Sequence, residues 1–332
     1  MVRVVHARRS RRINLARPHR RCVPIMIPLV PLAAVAAGSI ATAYTIAIAR
    51  EAKCPRRATY AWALAHGSPA SPAEVPGVGA WHEGSTALGS FDIDHPAVQH
   101  LPPSARSMVL PWWVVEGRGK GTMLLIHGWG RSRWDSLRRL PWFMEHADTI
   151  VMPDLCGHGE APGTTSVGLR DHLDLDRFMG NAGFDTEITT DTPGGLTIVG
   201  HSMGAMVSTR LAALLCERGA PPRRLVLLAP YDSLIVPVSN RLRARGLPAG
   251  PFAAAATWWW DRGEEPLHRT LSRVQCPVFV LGGGLDTVTT PDDVRRATAP
   301  HEVVIEDGID HAQVGVDGTA SRQALNAFLA RT

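Results

Sequence analysis

Seven short apolar runs recur after residue 106: "SMVLPWWVVEG", "TMLLIHG", "TIVMPD", "GLTIVGHS", "RLVLLAPY", "CPVFVLGGG" and "HEVVIED". From the third onward they are separated by stretches of helical character, such as "VGLRDHLDLDRFMGNAG", "MGAMVSTRLAALLCERG" and "ASRQALNAFLAR"; another, "RSRWDSLRRLPWFMEHA", follows the second run. Apolar strands that alternate with helices predict a mostly parallel, doubly wound α/β sheet with helices on both faces. We expect this domain over 104–332, with no internal repeat. The stretch from Asp232 to Arg273 has no strand signal.

In such sheets reactive groups collect beyond the C-terminal ends of the strands, so side chains at those positions carry the functional reading. Ser202 stands in "GHSMG", between "LTIV" and an amphipathic helix. A sharp strand-to-helix turn lifts a serine hydroxyl clear of the backbone, and glycines two residues before and after let strand and helix approach. We read Ser202 as a nucleophile, with the Met203 amide at the helix start facing a developing oxyanion. The other expected donor is the backbone amide of Trp129 in "HGWG", where His127 braces the loop. A serine needs an imidazole base, and the base needs a carboxylate to orient it. Asp286 in "VFVLGGGLDTVTTPD" and His311 in "IEDGIDHAQ" follow later strands in the required order. Asp232 in "LLAPYD" is the alternative acid, and Asp310 is read as structural. "PDLCGHGEAPG" lacks the lysine and the glycine spacing of nucleotide loops, which leaves His158 structural. No metal motif is present, and no cofactor is expected.

The formal charge of +5 hints at an acidic partner until its distribution is considered. Residues 1–57 contain 12 of the 35 Lys and Arg and only Glu51 among the acids, leaving 23 basic and 29 acidic residues beyond. The folded body is acidic, which argues against nucleic acid. Residues 1–21 form a basic tail, read as cytoplasmic. The uncharged run from Cys22 to Ala49 exceeds the roughly 20 residues a bilayer requires, and is expected to be a single-pass transmembrane anchor. The positive-inside rule then places the catalytic domain outside the cytoplasm. Two alternatives stay open: secretion after signal cleavage, or a cytoplasmic protein if Met26 is the true start. Residues 50–103, rich in Pro, Gly, Ser and Ala, are expected to be a linker and irregular extension. The five cysteines are odd in number and scattered, indicating neither a disulfide framework nor a metal site.

Taken in order, "HGWG", "PDLCGHG", "GHSMG", "GGLDTVTTPD" and "DGIDHAQ" resemble the α/β-hydrolase superfamily of serine esterases and lipases. The resemblance runs from Ser107 to Thr332. It implies Ser202 as nucleophile, His311 as base and then acid, Asp286 as orienting acid, and the amides of Trp129 and Met203 as oxyanion hole. A short helical cap is then expected at 232–273, where Trp258, Trp259 and Trp260 either pack the cap onto the core or line an acyl pocket. The implied activity is hydrolysis of a small-molecule or lipid-like carboxylic ester. A serine peptidase or amidase of the same fold, and a non-catalytic binding protein, are the alternatives.

Overall fold

The computed structural model describes residues 29–90, 107–183, 195–261 and 264–331. The chain divides into residues 1–42 and a unit from Ala43 to Thr332. In the second unit eight strands form one sheet: β1 (Trp81–Ser90), β2 (Ser107–Glu116), β3 (Thr122–Ile126), β4 (Thr149–Pro153), β5 (Leu196–His201), β6 (Arg224–Leu228), β7 (Val278–Gly283) and β8 (Val303–Glu306). Their spatial order is β1-β2-β4-β3-β5-β6-β7-β8; β1 and β2 run antiparallel to their neighbours and the rest are parallel. The chain steps outward from β3 to β4 and then crosses to β5 on the other side. The C-terminal ends of β3 and β5 therefore flank a topological switch point, where such sheets bind ligands.

Every residue of β5 and β6 is buried, as required of strands covered on both faces. Alternate side chains diverge: Leu124, Ile126, Ile198, Leu225 and Val280 join a core with Phe178 and Met206. Met123, Leu125, Val199, Val226 and Leu281 join an opposite core with Trp134, Leu137 and Leu325. The first core is closed by α4 (Asp171–Asn181), α5 (Met203–Glu217) and α9 (Pro291–Thr298), and the second by α2 (Tyr60–Ala65), α3 (Arg133–Leu137) and α10 (Thr319–Ala330). Between β6 and β7 the chain forms three cap helices, α6 (Ile235–Ala244), α7 (Pro251–Asp261) and α8 (Leu267–Leu271). The fold is that of an α/β hydrolase.

Two local expectations are revised. The helix expected over 131–147 ends at Leu137 and is followed by a 3-10 turn, Leu140–Trp142; Pro141 has no N–H with which to continue an α-helical ladder. The extension expected to be irregular over 50–103 contains α2 and β1, while 91–103 lie outside the described residues. β1 has weak strand composition and is held by pairing with β2. Its Gly84 lies under the Trp112 ring, where a Cβ would meet ring carbon at 2.2 Å.

The anchor expected at 22–49 finds no support among the described residues. Residues 1–28 lie outside the described residues, and α1 (Leu29–Lys53) follows them. Among the described residues no helix is long and apolar enough to cross a membrane. α1 is rich in alanine, which contributes little transfer energy, and it ends in Arg50, Glu51 and Lys53. Within the second unit its last turns are part of the packed body. Tyr44 meets Phe252 edge-on at 5.1 Å, and Ile48 is buried with Leu242, Ala253 and Ala256.

Candidate active site

β5 runs directly into α5, and the whole reversal falls on Ser202, whose φ of 55° and ψ of −115° are rare for a residue with a side chain. Its amide donates to the Leu228 carbonyl at 2.8 Å, which ties the turn to β6. A Cβ at Gly200 would stand 2.1 Å from the Gly204 carbonyl oxygen, and one at Gly204 would stand 2.3 Å from that of Ile126. Both glycines are thus steric requirements of the turn, and the serine hydroxyl is left at the sheet's carboxyl edge.

His311 lies in the loop after β8. Its Nδ1 is 2.7 Å from Asp286 Oδ2 and its Nε2 is 2.9 Å from Ser202 Oγ. An ionised carboxylate can only accept, so Nδ1 carries the proton and Nε2 accepts from the serine hydroxyl. Asp286 stands just after β7. Its Oδ1 accepts from the amides of Val288 and Thr289 at 2.7 and 2.8 Å, and its Oδ2 also accepts from Thr289 Oγ1 at 2.8 Å. Burial alone raises its pKa. The hydrogen bonds from His311 and Thr289 outweigh burial and hold the carboxyl below its ordinary value. The structure thus brings Ser202, His311 and Asp286 together. Asp232 is engaged elsewhere, accepting from the His268 amide at 3.1 Å and from His268 Nδ1 at 2.8 Å.

The loop after β3 passes beside the serine: a Cβ at Gly128 would lie 3.3 Å from that of Ser202. His127 Nδ1 donates to the Gly128 carbonyl at 2.8 Å, and its Nε2 accepts from the Leu155 amide at 3.0 Å. This is a brace between the loops after β3 and β4. Burial lowers the His127 pKa to about 4, so the imidazole is neutral. The amide of Met203 opens α5 and that of Trp129 lies in the loop; neither has an acceptor among the described residues. The Trp129 indole is fixed by donation from its Nε1 to the Ala52 carbonyl at 2.8 Å.

Three further residues hold the arrangement and were not singled out from sequence. Thr289 fixes Asp286, and its offset of three residues is the only sequence hint. His201 Nε2 donates to the His311 carbonyl at 2.8 Å, from the position preceding the serine. Arg139 is fully buried and donates to Asp135 Oδ2 at 2.6 Å and to the carbonyls of Ala312 and Val314 at 3.3 and 3.1 Å. It thereby ties the loop bearing His311 to the segment after α3. Asp310 caps that same loop, accepting from the amides of Ala312 and Gln313.

An apolar cleft opens at Ser202. Its walls are Ile48 and Ala52 of α1, Val167, and Leu234, Val238 and Leu242 in and beside α6. Neither Trp258 nor Trp260 lines it, contrary to the pocket expected there. Trp258 is 55% exposed, and Trp260 packs beside Ala52, Val167 and Leu234 with Lys53 over its ring. The side chain of Trp259 lies outside the described residues. The reason lies in helix direction, since α6 leaves the end of β6 next to the serine and α7 packs behind it against the end of α1. No group of three or more His, Cys, Asp or Glu suited to a metal ion occurs among the described residues.

Comparison with known proteins agrees with this fold. The chain is 28% identical over 200 residues to the magnesium-chelatase 30 kDa subunit of Rhodobacter capsulatus, covering 58% of this chain and 66% of that protein. It is 27% identical over 115 residues to a pimeloyl-[acyl-carrier protein] methyl ester esterase of Pectobacterium carotovorum, covering 33% of this chain and 38% of that protein. It thus spans just under two thirds of the first relative and well under half of the second. An esterase of Pyrococcus furiosus has the same fold, with a TM-score of 0.55 at 18% identity over 79% of this chain and 95% of that one. The sequence model of the alpha/beta hydrolase family matches residues 123–320, the strands, cap and loops that carry this site, and the chain belongs to that family.

Proposed function

We propose that this protein is a serine hydrolase that cleaves carboxylic esters through an acyl-enzyme. The observation that carries the reading is the unbroken relay from Ser202 Oγ through His311 to Asp286, with links of 2.9 and 2.7 Å. Ser202 Oγ attacks the ester carbonyl carbon while its proton passes to His311 Nε2. The oxyanion so formed is held by the amides of Trp129 and Met203. The tetrahedral centre collapses, the carbon–oxygen bond to the alcohol breaks, and His311 returns its proton to the departing oxygen. Water then attacks the acyl-serine, giving its proton to His311. The acyl carbon–Oγ bond then breaks, His311 gives its proton to Ser202 Oγ, and the carboxylic acid leaves. Asp286 stays ionised throughout and stabilises the imidazolium.

The apolar cleft at Ser202 supports a hydrophobic ester over a peptide, which would need polar groups along the walls to satisfy its backbone. The similarity to a methyl ester esterase points the same way. A purely binding role has no use for a strained serine aligned on an oriented imidazole. Release of 4-nitrophenol from short and medium acyl esters should fall to background in Ser202→Ala; unchanged turnover would refute the mechanism.

A further inference from the structure

α6 presents one face to the cleft. Leu234, Pro237, Val238, Arg241, Leu242 and Arg245 recur at intervals of three and one, the spacing of a single helical stripe. The stripe is apolar except for its two arginines, and these differ in their partners. Arg245 Nη1 lies 3.1 Å from Glu51 Oε1, and Glu51 is the only carboxylate among the residues lining the cleft. Arg241 has no hydrogen-bond acceptor or carboxylate partner among the described residues. Its guanidinium lies over the Trp129 indole, 4.9 Å from the ring centroid. Arg241 is half-buried, whereas three buried guanidiniums are matched: Arg133 with Asp154, Arg139 with Asp135, and Arg210 with Glu264. The cleft therefore carries one uncompensated positive charge next to the residue whose amide faces the serine.

An unpaired cation in an apolar cleft is costly unless something else answers it. Burial and the nearby guanidinium of Arg131 lower the Arg241 pKa, and Arg245 adds to this, while Tyr231 and Glu51 offset part of it. A guanidinium held over an indole face by its charge has N–H donors to offer elsewhere, which suits a carboxylate or phosphate bound by two hydrogen bonds.

We infer that the substrate is an ester bearing an anionic group, a carboxylate or a phosphate, separated from the scissile carbonyl by an apolar spacer, and that Arg241 binds this group and determines specificity. The spacer lies along Leu234 and Val238, two turns and one turn before the guanidinium on the same face. The inference rests on Ser202 being the nucleophile, since the cleft is read as the substrate's path to that hydroxyl.

The test uses three 4-nitrophenyl esters of matched length: the neutral hexanoate, the mono-adipate with a terminal carboxylate, and a 6-phosphooxyhexanoate. The readout is the ratio of kcat/KM for each anionic ester to that for the neutral one. Wild type should prefer at least one anionic ester about tenfold or more, and which one it prefers separates carboxylate from phosphate. Arg241→Gln should lower that ratio by about 10- to 100-fold, and Arg241→Lys, which keeps the charge without the fork, by less. If the glutamine variant does not fold, the wild-type preference and the smaller fall in the lysine variant carry the test. Hydrolysis of the neutral ester with no anionic preference, or a ratio unchanged by the substitutions, would overturn the inference alone. Failure of wild type to turn over any of the three esters would overturn the hydrolase reading and the inference with it.

Discussion

Two guanidiniums flank the serine, and they are used in opposite ways. Arg139, on the side of the His311 loop, is fully buried, and each of its three nitrogens donates within the chain, to Asp135 and to the carbonyls of Ala312 and Val314. Arg241, on the cap side, rests on an indole and leaves its donors open. The first is matched within the chain and fixes catalytic geometry. The second has no hydrogen-bonded or carboxylate partner within contact among the described residues and faces the cleft. The lesson is that burial of a charge does not say what it is for. Whether its partners are internal is the useful distinction.

The comparison can be broken most decisively at the closed side. If His311 is oriented by Asp286, then Asp286→Asn should lower kcat by about 10,000-fold, because an amide favours the wrong imidazole tautomer. Asp232→Asn should change kcat by less than about tenfold, since that carboxylate serves His268. Equal losses in the two variants would remove Asp286 from its assigned place. Removing the Arg139 charge comes next: Arg139→Met takes from the buried Asp135 carboxylate its hydrogen-bonded partner, leaving only Arg131 and Arg138 at 4.0 and 3.8 Å, and should cost about 3 kcal/mol or more in urea unfolding. A smaller effect, about 3 kcal/mol, belongs to His127 and shows only in acid. Its pKa is about 4 in the folded protein against an ordinary 6.5. The unfolded chain therefore takes up the proton first. The stabilisation is complete above pH 6.5 and is lost as pH falls to about 4, so the acid slope of unfolding free energy should be shallower in His127→Gln. The smallest effect is the counterpart to Arg139. Arg241→Met should leave unfolding free energy within about 1 kcal/mol of wild type or raise it, because a half-buried charge with no hydrogen-bonded partner among the described residues is exchanged for an apolar side chain. Comparable destabilisation by Arg139→Met and Arg241→Met would erase the distinction between the two arginines.

The parts of the molecule legible in the sequence are those dictated by local rules. The runs "LTIV" and "RLVLL" read as buried strands because every residue in them is covered, and "GHSMG" reads as a turn because its glycines answer clashes within a few residues. The same holds for Asp286 and His311, which follow strands directly. Features set by distant partners were not legible. β1, with "GSTALGS", owes its existence to β2, and Gly84 makes sense only once Trp112 lies over it. Arg133 has the composition of a surface residue, yet it is 1% exposed, held by Asp154 with the rings of Trp113 and Trp134 beside it. The tryptophan run Trp258–Trp260 attracted attention by composition, while the residues that line the cleft are separated by helical spacing and spread over α1 and α6. An apolar stripe interrupted by Arg241 is visible in the sequence, but the missing partner is visible only in three dimensions.

The central claim is that Ser202 becomes covalently acylated, and the most direct measurement is of that bond. The protein would be incubated with a 4-nitrophenyl alkylphosphonate, whose phosphorus is trapped by an activated serine, then digested and analysed by mass spectrometry. The account predicts a single phosphonyl adduct on the peptide containing "GHSMG", released 4-nitrophenol in equal amount, and no adduct in Ser202→Ala. An adduct on another residue, or ester turnover that persists in Ser202→Ala, would contradict it.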